Sequence, residues 1–229
     1  MLLLLLGDSD IYRWPDDLIP CCTQARGNSH LPKSNKTLQV EKVARGGATL
    51  SDVKRMFERW ASSSETQLKV RYGDGDDGKV IVIACAGEND LGFGNSVEHV
   101  SKIFCSLLDS LMLTLLGGSN STGPHVRVIF LGPKYEPILT DDHSLKKQYT
   151  KLSKAMKRIC NRHTQAGRIQ FLDCLVMFCD EKTKDVPGTT SDGRAIPNEK
   201  LFDVDKLHLN DDGYRIWKWE VENLLTSNP

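Results

Sequence analysis

The chain carries no excess of charge: 30 Lys and Arg stand against 30 Asp and Glu in 229 residues. A nucleic-acid-binding domain usually shows a basic surplus, so the total gives that function class no support. A long hydrophobic run is also missing. The opening Met1-Leu2-Leu3-Leu4-Leu5-Leu6 stops at Gly7-Asp8, well short of the roughly 20 residues that cross a bilayer. It lacks the basic lead of a signal peptide too, and it reads as a buried first strand rather than the stub of a removed leader. No CxxC is present, and the seven cysteines are an odd number. A fully paired disulfide framework is therefore not expected; reduced core thiols in a cytoplasmic protein are, with Cys85 and Cys105 buried. The six histidines form neither HxxxH nor HxH, so no metal is expected. Gly46-Gly47 lacks the spaced glycines of a dinucleotide turn, and GxxxxGK[ST] is absent, so no cofactor is expected.

What is present is an ordinary globular balance, 39% hydrophobic and 26% charged, at a length that suits one domain over residues 1–229. Five short apolar runs, starting near residues 2, 38, 80, 126 and 168, alternate with helical patterns over 52–61, 97–116, 144–162 and 212–225. In the last of these, Ile216, Trp219, Val221 and Leu225 are the apolar positions. Strands that show little polar alternation suit a sheet covered on both faces. Alternation of strand with helix predicts an α/β fold, a three-layer α/β/α sandwich on a mostly parallel five-stranded sheet. Asp74-Gly75-Asp76-Asp77-Gly78 lacks the spacing and closing Glu of a calcium loop and reads as a solvated turn. Two Asn-x-Ser/Thr matches, at Asn35 and Asn120, carry no weight.

Ligands of such sheets gather beyond the carboxyl ends of the strands. Gly7-Asp8-Ser9 stands there after the first strand, Gly46-Gly47 after the second, Gly87-Glu88-Asn89-Asp90 after the third and Gly132-Pro133 after the fourth. Asp205-Lys206-Leu207-His208 precedes the last helix. A serine hydroxyl needs a base to become a nucleophile, and His208 is the candidate. Asp205 can hold the imidazole in the right tautomer. Oxyanion charge needs donors, and the N–H of Ser9, the N–H of Gly47 and the side-chain amide of Asn89 are the candidates. Each residue alone has a plainer reading: Ser9 and Asp205 as caps or turn residues, Gly47 as a turn, Asn89 as an Asx-turn. Asp8 and Asp90 are expected to accept backbone N–H bonds that hold their loops, and Arg45 to pair with a carboxylate or meet an anionic group. Lys146, Lys147, Lys151, Lys154 and Lys157 look like a solvated flank.

Taken together, Gly7-Asp8-Ser9, Gly47, Gly87-Glu88-Asn89-Asp90 and Asp205-Lys206-Leu207-His208 resemble the four signature blocks of the SGNH (GDSL-type) serine hydrolase superfamily. The resemblance runs from residue 7 to residue 208. It implies a flavodoxin-like fold and ester hydrolysis, with Ser9, His208 and Asp205 as catalytic triad and Ser9, Gly47 and Asn89 as oxyanion hole. It departs from the family at Asp10, where an aliphatic or amide residue is commoner. In this reading Ser9 Oγ lies within hydrogen-bond reach of His208 Nε2.

Tyr12, Trp14, Leu91, Phe93, Tyr135 and Leu207 are the sequence-near candidates for the substrate pocket. The expected partner is a small-molecule ester, with no nucleic acid and no membrane; the oligomeric state stays open. Three other functions stay open with it: an acetyl-carbohydrate deacetylase, an acyltransferase with the same triad, and a non-catalytic α/β binding or scaffold protein.

Overall fold

The first strand sets the architecture. In this computed structural model, which describes residues 1–20, 38–71, 79–116, 125–163, 168–180 and 195–227, β1 (Leu2–Gly7) is buried along its whole length. Leu2, Leu4 and Leu6 point into one core and Leu3 and Leu5 into another on the opposite face. Because successive strand side chains alternate faces, an unbroken leucine run is what a strand covered on both sides requires. Each fully buried leucine contributes roughly 1.5–3 kcal/mol.

Four more strands complete a parallel sheet: β2 (Gln39–Ala44), β3 (Lys79–Cys85), β4 (His125–Leu131) and β5 (Ile169–Leu172). Their spatial order is β2-β1-β3-β4-β5, every pair parallel. The helices are α1 (Ser9–Arg13), α2 (Leu50–Arg71), α3 (Glu88–Gly92), α4 (Val97–Leu116), α5 (His143–His163) and α6 (Asp211–Ser227). Residues of α2, α4 and α5 pack on the even face of β1; Ile11 of α1 and the buried side of α6 pack on the odd face. This is the three-layer sandwich that the pattern predicts, in the flavodoxin-like form that the resemblance implies.

Several details differ from the sequence reading. The helix expected over 52–61 runs from Leu50 to Arg71. In α6 the inward residues are Tyr214, Trp217, Val221 and Leu225, whereas Trp219 is 60% exposed and Ile216 is only partly buried. The spacings of three and four residues from Tyr214 make one continuous stripe, which Trp219 does not join; Trp217 stacks on Trp14 instead, centroids 5.5 Å apart. In α5, Lys147, Lys151, Lys154 and Lys157 are exposed, but Lys146 is buried with its ammonium 5.6 Å from the centre of the Tyr135 ring. Burial lowers its pKa.

Cys85, Cys105, Cys160 and Cys174 are free thiols. Cys85 is buried as expected; Cys105 is half-buried, because it sits at the edge of the inward face of α4. Cys21, Cys22, the Asp74–Gly78 turn and both Asn-x-Ser/Thr matches lie outside the described residues. Among the described residues no helix is long and apolar enough to cross a membrane.

Candidate active site

In a sheet of this order the chain leaves β1 for one edge and returns to β3 on the other side. That leaves a crevice between the carboxyl ends of β1 and β3. Gly7 ends β1 there. A Cβ on it would lie 2.3 Å from the Cys85 carbonyl oxygen, so only glycine lets the two strand ends close up. The Asp8 N–H then donates to that carbonyl at 3.2 Å, and a carboxyl oxygen of Asp8 caps α1 by accepting from the Asp10 N–H. Ser9 is left half-buried at the first position of α1, where a backbone N–H has no acceptor within the helix.

β3 ends in the same manner. Gly87, at φ 121°, turns the chain into α3 and presents Asn89 half-buried. The Asn89 Nδ2 donates to the Ala48 carbonyl at 3.1 Å, tying this turn to the one after β2. Asp90 Oδ2 accepts from the Leu50 N–H at the start of α2, 2.9 Å. Gly47, exposed and at φ 68°, comes one residue before the carbonyl that Asn89 holds. Asp8 and Asp90 thus hold loops as expected, and Arg45 pairs with Asp52 at 3.1 Å.

The third piece is the turn before α6. Phe202 and Leu209 pair as an antiparallel bridge, and the Asp203 N–H donates to the His208 carbonyl at 2.7 Å. Lys206 lies between them at φ 56°, a left-handed conformation that closes the turn. Within it Asp205 Oδ1 accepts the N–H groups of Leu207 and His208, both at 3.0 Å. Its Oδ2 faces His208 Nδ1 at 2.7 Å and Arg13 Nη1 at 3.3 Å. Burial alone would raise the Asp205 carboxyl. The bonds from the His208 N–H, its ring and the Leu207 N–H outweigh that and hold it well below the usual carboxylate range. His208 is 8% exposed, and its Nε2 is buried without a hydrogen-bond partner.

Ser9, Asn89 and His208 wall one pocket of about 290 Å³, together with Asp10, Glu88, Gly92, Phe93, Lys134, Glu136, Ile138, Leu139, Leu145, Tyr149 and Leu207. No hydrogen bond joins Ser9 Oγ to His208 Nε2; such contacts are often long before a substrate closes the site. Gly47 is not among the pocket walls. A larger hollow of about 660 Å³ runs past Arg13, Asp203, Asn210 and Tyr214 but includes neither Ser9 nor His208.

Solved structures share this fold. A lipase from a goat rumen metagenome matches at 14% identity and a TM-score of 0.62, over 98% of this chain and 97% of that one. A member of the lipolytic G-D-S-L family from Veillonella parvula matches at 14% and 0.57, over 96% of each. A carbohydrate acetylesterase from Sinorhizobium meliloti matches at 14% and 0.56, over 99% and 98%. No family model matches the chain, and no curated protein does. At these identities the likeness is one of fold. The chain has the SGNH fold.

Within that SGNH fold the expected pocket residues divide. Phe93 and Leu207 line the pocket. Trp14 is 1% exposed and packs against both Tyr214 and Trp217; Leu91 and Tyr135 are core residues, the Tyr135 hydroxyl bonded to Thr150 at 2.7 Å. Tyr12 is 61% exposed and outside the walls. Nearness in sequence to Ser9 says nothing of which way a side chain of α1, or of Trp14 at its C-terminal cap, points, and that misplaced Tyr12 and Trp14.

The sequence reading missed the pocket floor. Lys134 Nζ is buried against Asp10 Oδ2 at 2.7 Å, Glu136 Oε1 at 2.9 Å and Glu88 Oε2 at 3.0 Å. Burial would lower the Lys134 pKa, but Asp10, Glu88 and Glu136 together raise it well above the ordinary value. Burial pushes Glu136 well up despite Lys134, and the neighbouring charges of Glu88 and Asp10 raise it further. Asp8 is likewise pushed well up by burial, then by Asp10 and Glu88. The departure at Asp10 and a lysine placed after β4 were the available signals.

Two groups of three metal-ligand side chains occur among the described residues. Cys105, Asp109 and His163 meet on the surface between α4 and α5; Asp8, Asp10 and Cys85 meet beneath Ser9. In the second, the Lys134 ammonium already supplies a positive charge to Asp10.

Proposed function

We propose that this chain is a serine hydrolase acting on small carboxylic esters in a reducing, cytoplasmic compartment. The observation that carries the reading is the His208 ring. Its Nδ1 is bonded to Asp205 at 2.7 Å, and its Nε2 is buried, unpartnered, in the wall of the pocket that Ser9 enters. An Nδ1–H held by a carboxylate leaves Nε2 as the acceptor tautomer, which is the form that takes a serine proton.

In this reading Ser9 Oγ attacks the ester carbonyl as His208 Nε2 takes its proton. Asp205, ionised, steadies the imidazolium. The N–H groups of Ser9 and Gly47 and the second N–H of Asn89 Nδ2 take up the developing oxyanion charge. His208 then returns the proton to the leaving alcohol, and water releases the acid from the Ser9 ester by the same steps in reverse. A pocket of about 290 Å³ suits a short acyl group.

A panel of short-, medium- and long-chain esters with acetylated sugars, run beside Ser9→Ala, tests this. Ser9-dependent hydrolysis that falls off with chain length is the expected result. Equal turnover by Ser9→Ala removes the serine mechanism, and no turnover of any ester favours a binding protein. Added alcohol that diverts the acyl group into a new ester makes the chain an acyltransferase.

A further inference from the structure

Lys134 joins two turns that the proposed chemistry needs held together. Asp10 is the residue after Ser9, and Glu88 is the residue before Asn89. The Lys134 ammonium bonds both, at 2.7 and 3.0 Å, and the Lys134 N–H adds a second bond to Glu88 Oε1 at 2.7 Å. Lys134 itself follows β4, so one side chain spans the carboxyl ends of β1, β3 and β4. Its third donor goes to Glu136 at 2.9 Å. An ammonium has three N–H groups, and all three are used.

We infer that Lys134 is a positioning residue: through Asp10 and Glu88 it fixes the distance between the Ser9 turn and the Asn89 turn. The inference rests on the serine-hydrolase reading above. α1 and α3 are five residues each, and helices so short have no stable orientation of their own. What aims Ser9 and Asn89 is therefore tertiary. The Tyr214 hydroxyl assists by donating to the Asp10 carbonyl at 2.9 Å. Stability alone does not account for the cluster. A buried ion pair is often no better than well-packed apolar side chains in its place. A link between two short turns, by contrast, is worth much to a reaction that loses about a hundredfold for a 1 Å misplacement.

The test uses Asp10→Asn, Glu88→Gln, their double variant, Lys134→Met and, as control, Thr150→Val. The control removes the buried Tyr135–Thr150 hydrogen bond, which touches neither turn. Three readouts are taken on the whole chain: Tm, the kcat and KM of the best ester, and the rate at which a small fluorophosphonate labels Ser9. Asp10→Asn and Glu88→Gln should each lower kcat and labelling about tenfold or more. The double variant should be little worse than either, since each breaks the same bridge. Thr150→Val should lower Tm and leave kcat in place. Wild-type kcat and labelling in folded Asp10→Asn and Glu88→Gln overturn the inference, as does an equal kcat loss in Thr150→Val. If Lys134→Met does not fold, the two amide variants decide. If wild-type Ser9 is neither labelled nor needed for any hydrolysis, the serine-hydrolase reading fails and this inference with it.

Discussion

Replacing Asp205 with Asn changes one atom and should remove most of the turnover. Asp205 Oδ1 accepts two backbone N–H groups, and Oδ2 faces His208 Nδ1. An Asn in this place has two choices. It can keep its oxygen on the backbone donors and turn its NH₂ toward the ring. Nδ1 must then be the acceptor, the proton moves to Nε2, and His208 can no longer take the Ser9 proton. A wrong tautomer of this kind costs about 10⁴ in kcat, or about 5.4 kcal/mol of barrier. Alternatively it can flip, keeping the tautomer but facing two N–H groups with its own NH₂. At this half-exposed turn that costs on the order of 1 kcal/mol for each N–H, so about 2 kcal/mol in all, or roughly thirtyfold. Asn takes whichever is cheaper, and in both the carboxylate charge opposite the imidazolium is gone. The expected loss in kcat therefore lies between about thirtyfold and 10⁴. KM should change little, because Asp205 is not among the pocket walls. Steady-state kinetics on the best ester, with circular dichroism to confirm the fold, measures this. A kcat within tenfold of wild type in a folded protein refutes the assignment of Asp205.

Three other outcomes are expected. Asn89→Ala should cost about 10²–10³ in kcat, as loss of one oxyanion donor does, with part of the effect traceable to the broken bond to Ala48; a full kcat removes Asn89 from the hole. Asp8→Asn should stabilise the protein increasingly as pH rises. The folded state holds the Asp8 proton, its carboxyl being pushed well up, while the unfolded chain gives it up above about pH 4. Wild-type stability therefore declines as pH rises from there, by up to about 1.4 kcal/mol per pH unit, and the Asn variant is spared. Thermal melts from pH 4 to 7 check this, and a Tm gap that narrows contradicts it. Finally, because the Lys134 donors are all bonded to carboxylates, an ester with a carboxylate in its acyl group should have a lower kcat/KM than its neutral isostere. Equal values would mean that the floor does not meet the acyl group.

The strands and the chemistry-bearing turns follow from local rules, and the sequence alone determined them. An unbroken leucine run bounded by glycine makes a doubly covered strand wherever it lies. Apolar residues three and four apart made α4 and α5 legible to within a residue. Asp205 and His208 are three residues apart on one turn, so their contact needs nothing distant. Other features depend on residues far apart in the chain, and only the tertiary structure decided them. A lysine read singly belongs in water. Lys134 is buried because Asp10, 124 residues away, and Glu88, 46 away, converge on it at the carboxyl ends of neighbouring strands. Trp14 joins the core because α6 brings Trp217 against it, and no spacing near residue 14 records that. Which tryptophan of α6 faces inward was a matter of helix rotation, to which a loose apolar pattern gives two answers. Packing against Trp14 and Phe178 chose Trp217 over Trp219.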